Sequence, residues 1–134
     1  MGEGLGRALI CYLDTQVAIW LAEANTKRLS HKALSYIEKA EIRISPMVVL
    51  EFEYLHEIQR TTWSPQQIVY KLNTELQAAV CDYPFPIIVE VAVGETWTRD
   101  PFDRVIVAHA KANGRAGLIS RDDLIAAHYP NTIW

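Results

Sequence analysis

The sequence predicts an α/β fold, a sandwich of helices over a mostly parallel central sheet of four to five strands. Three observations lead there. Short apolar runs of strand length alternate along the chain with longer amphipathic stretches, as parallel strands joined by helical crossovers require. The pairs Ser45-Pro46, Ser64-Pro65 and Asp100-Pro101 each read as a helix start, with a small polar N-cap followed by proline at the first helical position. Finally, 134 residues that are 50% hydrophobic, without a repeat or a linker, suffice for one core.

The elements follow in order. Residues 8–13 (ALICYL) form an unbroken apolar run, as expected of a strand buried on both faces. Asp14-Thr15 ends it, and residues 17–24 place Val17, Trp20, Leu21 and Ala24 on one side of a helix. Ser30 caps a second helix that reaches Lys39, with Leu34 and Ile37 inward. Residues 41–45 (EIRIS) alternate as a strand does, and a helix from Pro46 to about Arg60 brings Val48, Glu51, Phe52 and Leu55 near one face. The helix from Pro65 is expected to run to about Val80. Residues 82–86 break the chain, and residues 87–91 (IIVEV) read as the third strand. A helix from Pro101 ends at Asn113-Gly114. Residues 117–120 (GLIS) give a fourth strand, then a turn and a short helix, and residues 132–134 a closing edge strand.

Composition excludes several classes. With 22% charged residues and a net charge of -3, the chain is neither a disordered polyampholyte nor a broadly basic nucleic-acid binder. No apolar run approaches the roughly 20 residues of a membrane span, and no signal peptide is recognisable. The Gly-rich residues 1–7 are expected as a flexible segment ahead of a single domain over 8–134. Cys11 and Cys81, in apolar surroundings, read as buried thiols in a reducing cytoplasm.

In a parallel sheet the functional crevice lies at the carboxyl ends of the strands. Asp14 ends the first strand and Asp122 follows the fourth. Glu51 falls in the second turn of the helix after the second strand, and Asp103 in the first turn after Asp100-Pro101. Two carboxylates about 4 Å apart repel by roughly 4 kcal/mol at an effective dielectric of 20. Such a cluster therefore needs protons or a cation within it. Oxygen ligands without a Cys/His cluster favour Mg2+ or Mn2+ over Zn2+. Each acid also has a structural reading. Asp14 and Asp100 fit N-caps, Asp103 fits the acid three places after a cap, Glu51 a solvated helix position, and Asp122 and Asp123 turn residues.

The order CYLDTQVAIWL, ISPMVVLEFEYL, TRDPFDRVIVAHA, GLISRDD resembles the PIN domain family, and within it the VapC-type toxins of type II toxin-antitoxin pairs. The similarity spans the chain from Ala8 to Trp134, and RDPFDR followed by an apolar helix is its most specific part. The resemblance implies a PIN-like three-layer α/β/α sandwich and a metal-dependent endoribonuclease. Mg2+ or Mn2+ would be held mainly by Asp14 and Asp103, with Glu51 and Asp122 completing the shell. The hydroxyls of Thr15 and Ser120 would support the site, Asp100 would be auxiliary, and Asp123 a substitute for Asp122. Arg99, Arg104 and Arg121 would contact RNA phosphates, or else pair with the acids. It further implies a homodimer in the cytoplasm and a VapB-type antitoxin, with Ile19, Trp20 and Tyr54 as candidates for the antitoxin's groove.

Rival readings find less in the residues. A haloacid dehalogenase pattern wants a second Asp where Gln16 stands, and a receiver domain has no use for RDPFDR. His56-Glu57 begins a zinc-protease motif, but Arg60 occupies the second histidine's place. A non-catalytic PIN-type RNA-binding or assembly module is the remaining alternative. Trp20, Trp63, Trp97 and Trp134 read as core or interface anchors rather than base-stacking platforms, and His31, His109 and His128 as surface or partner-paired side chains.

Overall fold

The computed structural model describes residues 9–134; the flexible segment expected over 1–7 and the expected start of the domain at residue 8 lie outside the described residues. Five strands, β1 (Ile10–Leu13), β2 (Glu41–Ile44), β3 (Ala79–Val80), β4 (Gly117–Ile119) and β5 (Thr132–Ile133), form one sheet in the order β3-β2-β1-β4-β5. All four neighbouring pairs are parallel. The helices are α1 (Thr15–Ala22), α2 (His31–Lys39), α3 (Pro46–Glu57), α4 (Pro65–Leu76), α5 (Phe85–Val93), α6 (Pro101–Ala112) and α7 (Asp123–His128). The chain builds outward from β1 to one edge through β2 and β3, then returns to β1's other side for β4 and β5. The strand order thus reverses between β1 and β4.

The three layers follow from strand alternation, since successive side chains of a strand face opposite ways. Tyr12 points to His109 of α6, with ring centroids 5.9 Å apart. Its neighbour Cys11 pairs in register with Gly117, and a Cβ on Gly117 would lie 2.8 Å from the Tyr36 hydroxyl of α2. Helices α6 and α2 therefore cover opposite faces, and β1 is buried from Cys11 to Leu13. Both cysteines are buried free thiols, and burial pushes the Cys11 thiol up to about 12.

The capping signals act as read. Ser30, Ser45, Ser64 and Asp100 each accept a backbone N–H of the first turn of α2, α3, α4 and α6. At Ser64, Gln67 completes a reciprocal capping box. The error lies between α4 and α6. The run 87–91 is not a strand but the middle of α5, with Pro86 in its first turn. Its Ile88 and Ala92, one helical turn apart, are buried against Val105 and Ala108 of α6. A short apolar run does not by its periodicity distinguish a buried strand from a helix, and packing decided. The third strand is Ala79–Val80, inside the stretch expected to finish α4. That helix instead stops at Leu76 because Gln77 turns left-handed at φ 54°. Nothing in the residue type announces the stop, since Gln is an ordinary helix former.

Candidate active site

The reversal of strand order opens the sheet at the carboxyl ends of β1 and β4, where a parallel fold places its crevice. Asp14 is the residue after β1, and its N–H donates to the Ile119 carbonyl at 2.9 Å. It caps α1: Oδ1 accepts from the Thr15 N–H at 2.8 Å, and Oδ2 accepts from the Ser120 hydroxyl at 2.6 Å. Ser120, buried beyond β4, also accepts the Asp122 N–H at 3.0 Å. Asp122 caps α7 through the N–H groups of Leu124 and Ile125. Across the site the Thr15 hydroxyl donates to Glu51 Oε1 of α3. A continuous arc of hydrogen bonds thus joins Glu51, Thr15, Asp14, Ser120 and Asp122.

Asp103 stands apart from this arc. No donor reaches its carboxylate among the described residues, and it is pushed up to about 7. Burial is the largest cause, followed by the charges of Asp100, Asp14, Asp122 and Glu51. Burial also raises Asp14 against the lowering bonds from Ser120 and Thr15, with Asp122 and Asp100 adding repulsion. Glu51 is raised by burial, then lowered by Thr15 and raised by Asp14 and Asp100. Five carboxylates from four segments therefore share one electrostatic field. Asp100, expected first as a cap, does cap α6 and is also the strongest neighbouring charge on Asp103. Asp123 is exposed as the first residue of α7.

The donor set is entirely oxygen and carries surplus negative charge, which fits a hard divalent cation. Among the described residues no three His, Cys, Asp or Glu side chains are placed to hold a metal ion together. An ion would be held by one or two carboxylates directly and by the others through water, as Mg2+ commonly is.

The arginines are split. Arg99 and Arg121 are exposed, while Arg104 donates from Nε to the Thr98 carbonyl at 2.9 Å. The ion pairs found among the described residues are Arg43–Glu41, Lys71–Glu75 and Lys111–Glu95, none involving an arginine beside the acids. All four tryptophans are half-buried against the core. Trp97 stacks on His128 at 5.1 Å, a pairing not legible in the sequence. Ile19 is only 4% exposed and belongs to the core, so it does not line a surface groove as expected, whereas Tyr54 is 50% exposed.

Ser120→Ala removes the clamp on Asp14 and leaves the Asp122 N–H without its acceptor. We expect a loss of about 1–2 kcal/mol in urea unfolding. An unchanged midpoint would mean the bridge contributes nothing.

Comparison with known proteins agrees with the fold. The PIN domain family model matches residues 11–129. Among solved structures, the chain is similar to the crystal structure of VapBC2 from Rickettsia felis bound to a DNA fragment from their promoter. The TM-score is 0.57 and the identity 18%, over 92% of this chain and 96% of that one. At that identity the likeness is one of fold. No curated protein matches.

Proposed function

The chain belongs to the PIN domain family, whose members are generally nucleases, and from this premise we propose that it is a VapC-type toxin, a metal-dependent endoribonuclease. One observation supports the reading: beside the switch point of a parallel sheet Asp103 is pushed up to about 7, by burial and then by the charges of Asp100, Asp14, Asp122 and Glu51. A protein has little reason to concentrate repelling carboxylates there unless a cation relieves them.

Asp14 and Asp103 would hold Mg2+ or Mn2+, with Glu51 and Asp122 completing its shell. When bound, such an ion lowers the pKa of a water and stabilises charge on the phosphoryl and leaving oxygens. The chain's part is positional. Ser120 and the Thr15 amide fix Asp14, Thr15 fixes Glu51, and Asp100 keeps negative charge against Asp103. Arg99 and Arg121, exposed beside the acids, would take the substrate's phosphates.

The proposed partners are an RNA substrate, a VapB-type antitoxin and a second copy of the chain, in the cytoplasm. The antitoxin proposal draws on the resemblance and on the solved neighbour being a VapBC2 complex. Among the described residues no helix is long and apolar enough to cross a membrane. Support for the homodimer comes from two exposed apolar stripes at four-residue spacing: Leu50 and Tyr54 of α3 with Ile58 just past its end, and Phe85, Val89 and Val93 of α5. Light scattering should read twice the chain mass, and a monomer at micromolar concentration would refute the dimer.

The deciding experiment incubates a cellular RNA pool with the purified protein, with Mg2+ or Mn2+ against EDTA. Discrete cuts that need the metal and stop on adding the cognate antitoxin are expected. Folded, antitoxin-free protein that cuts nothing would instead favour the binding module.

A further inference from the structure

Helices α3 and α6 carry two of the clustered acids, Glu51 and Asp103, and they run antiparallel. Ser45, which caps α3, meets His109 near the end of α6, while Tyr54 farther along α3 meets Phe102 at the start of α6. Glu51 lies six residues after Ser45, and Asp103 six residues before His109. At 1.5 Å of rise per residue, about 9 Å therefore separates the Ser45–His109 contact from the acid on either helix.

Elsewhere this interface is apolar, with Met47 packed against the cluster of Val105 and Ala108, and Tyr54 beside Phe102. Apolar attraction has no direction of its own, so the register of the two helices rests on how their side chains interdigitate and on any directional bond that crosses between them. The directional bond found between the two among the described residues is Ser45–His109. His109 is fully buried, with Nδ1 3.0 Å from Ser45 Oγ and 3.2 Å from the Val105 carbonyl. A carbonyl only accepts, so Nδ1 carries the proton and shares it between the two oxygens. Ser45 Oγ also accepts the Met47 N–H that starts α3. Nε2 is bare, buried and without a partner among the described residues. Burial keeps the ring below its ordinary pKa and hence neutral. The ring's one N–H thus goes to Ser45 and Val105, and Nε2 is left without a partner.

We propose that His109 is a positioning residue: through Ser45 it sets the axial register of α3 against α6, and so the spacing of Glu51 and Asp103. The proposal rests on the reading of the acid cluster as a cation site. It is tested by Mn2+ calorimetry on wild type, His109→Leu, His109→Asn and Ser45→Ala, each well below its melting temperature. His109→Leu and Ser45→Ala should each weaken Mn2+ about tenfold, the size expected of a partner that orients ligands. The double variant should be no weaker than either single one. In His109→Asn the amide nitrogen stands near the place of Nδ1, and affinity should return to within about threefold of wild type. A role in packing alone would lower the melting temperature and leave Mn2+ affinity unchanged, and that result overturns the proposal. Wild type that binds no Mn2+ overturns the cation-site reading instead. The tie is then decided without metal by amide exchange at Met47. Exchange should quicken about tenfold in His109→Leu and recover in His109→Asn, and equal rates in all three proteins overturn it.

Discussion

Asp14→Asn should abolish metal-dependent RNA cleavage, by about a thousandfold or more, while leaving the protein folded. The magnitude follows from what the charge does. A metal held at the reacting phosphate supplies several kcal/mol of charge stabilisation, and about 4 kcal/mol corresponds to a thousandfold in rate. Asparagine is nearly isosteric: its Oδ1 still accepts the Thr15 N–H that starts α1, and its Nδ2, in the place of Oδ2, donates to Ser120 Oγ, which reverses that bond. The substitution also removes one charge from a crowded field, so the melting temperature should hold or rise. Activity within threefold of wild type in a folded variant would remove Asp14 from the proposed site, whatever the other acids do.

The second large effect is on stability, and its sign opposes intuition. Asp103→Asn should melt roughly 5–10 °C above metal-free wild type at neutral pH. A carboxyl raised from the ordinary range to about 7 resists ionisation in the folded state. That resistance weighs on the order of 2–4 kcal/mol at full strength, and solvent screening at this half-buried position favours the lower figure. In the folded chain the group binds its proton more tightly than in the unfolded chain. Its stabilising contribution is therefore complete below pH about 4 and is lost as pH rises through about 7. Metal-free wild type should lose stability across that window, and Asp103→Asn should not. Mn2+ should then raise the melting temperature of wild type and do far less for the variant. A variant that melts lower than wild type at pH 8 without metal would show that an attraction, and not repulsion and burial, governs the Asp103 carboxylate.

These two expectations separate function from folding at the same cluster. Asp14 is clamped by two donors, whereas Asp103 has none among the described residues. At Asp14 the relief of burial and repulsion offsets the altered bond to Ser120, whereas at Asp103 no bond is lost and stability should rise.

Much of this was legible in the chain itself. The caps at Ser30, Ser45, Ser64 and Asp100 are local chemistry, in which a side-chain oxygen satisfies an N–H two or three residues on, and such signals survive in any tertiary context. The apolar run of β1 and the GLI of β4 are short and buried, β1 from Cys11 to Leu13 and β4 throughout, so they read as central strands. The acids could be nominated because Asp14 and Asp122 follow strands, Asp103 opens a helix and Glu51 lies in the second turn of the helix after β2, and the family resemblance assigned their roles.

What the residues did not state is whatever depends on a distant partner. The run 87–91 has the composition of a strand, and it became helix because Ile88 and Ala92 find Val105 and Ala108 of α6. The edge strand Ala79–Val80 exists because β2 offers it an open ladder, and neither residue is buried by it. Ile19 reads as a helix-surface candidate until the packing of α1 closes over it. The burial and neighbouring charges that lift Asp103, the stack of Trp97 on His128 and the bond from His109 to Ser45 each depend on residues far apart in the chain. Local capping and burial patterns belong to the sequence because they act over a few residues. The electrostatics and register of the site belong to the tertiary structure because both depend on distances that only folding sets.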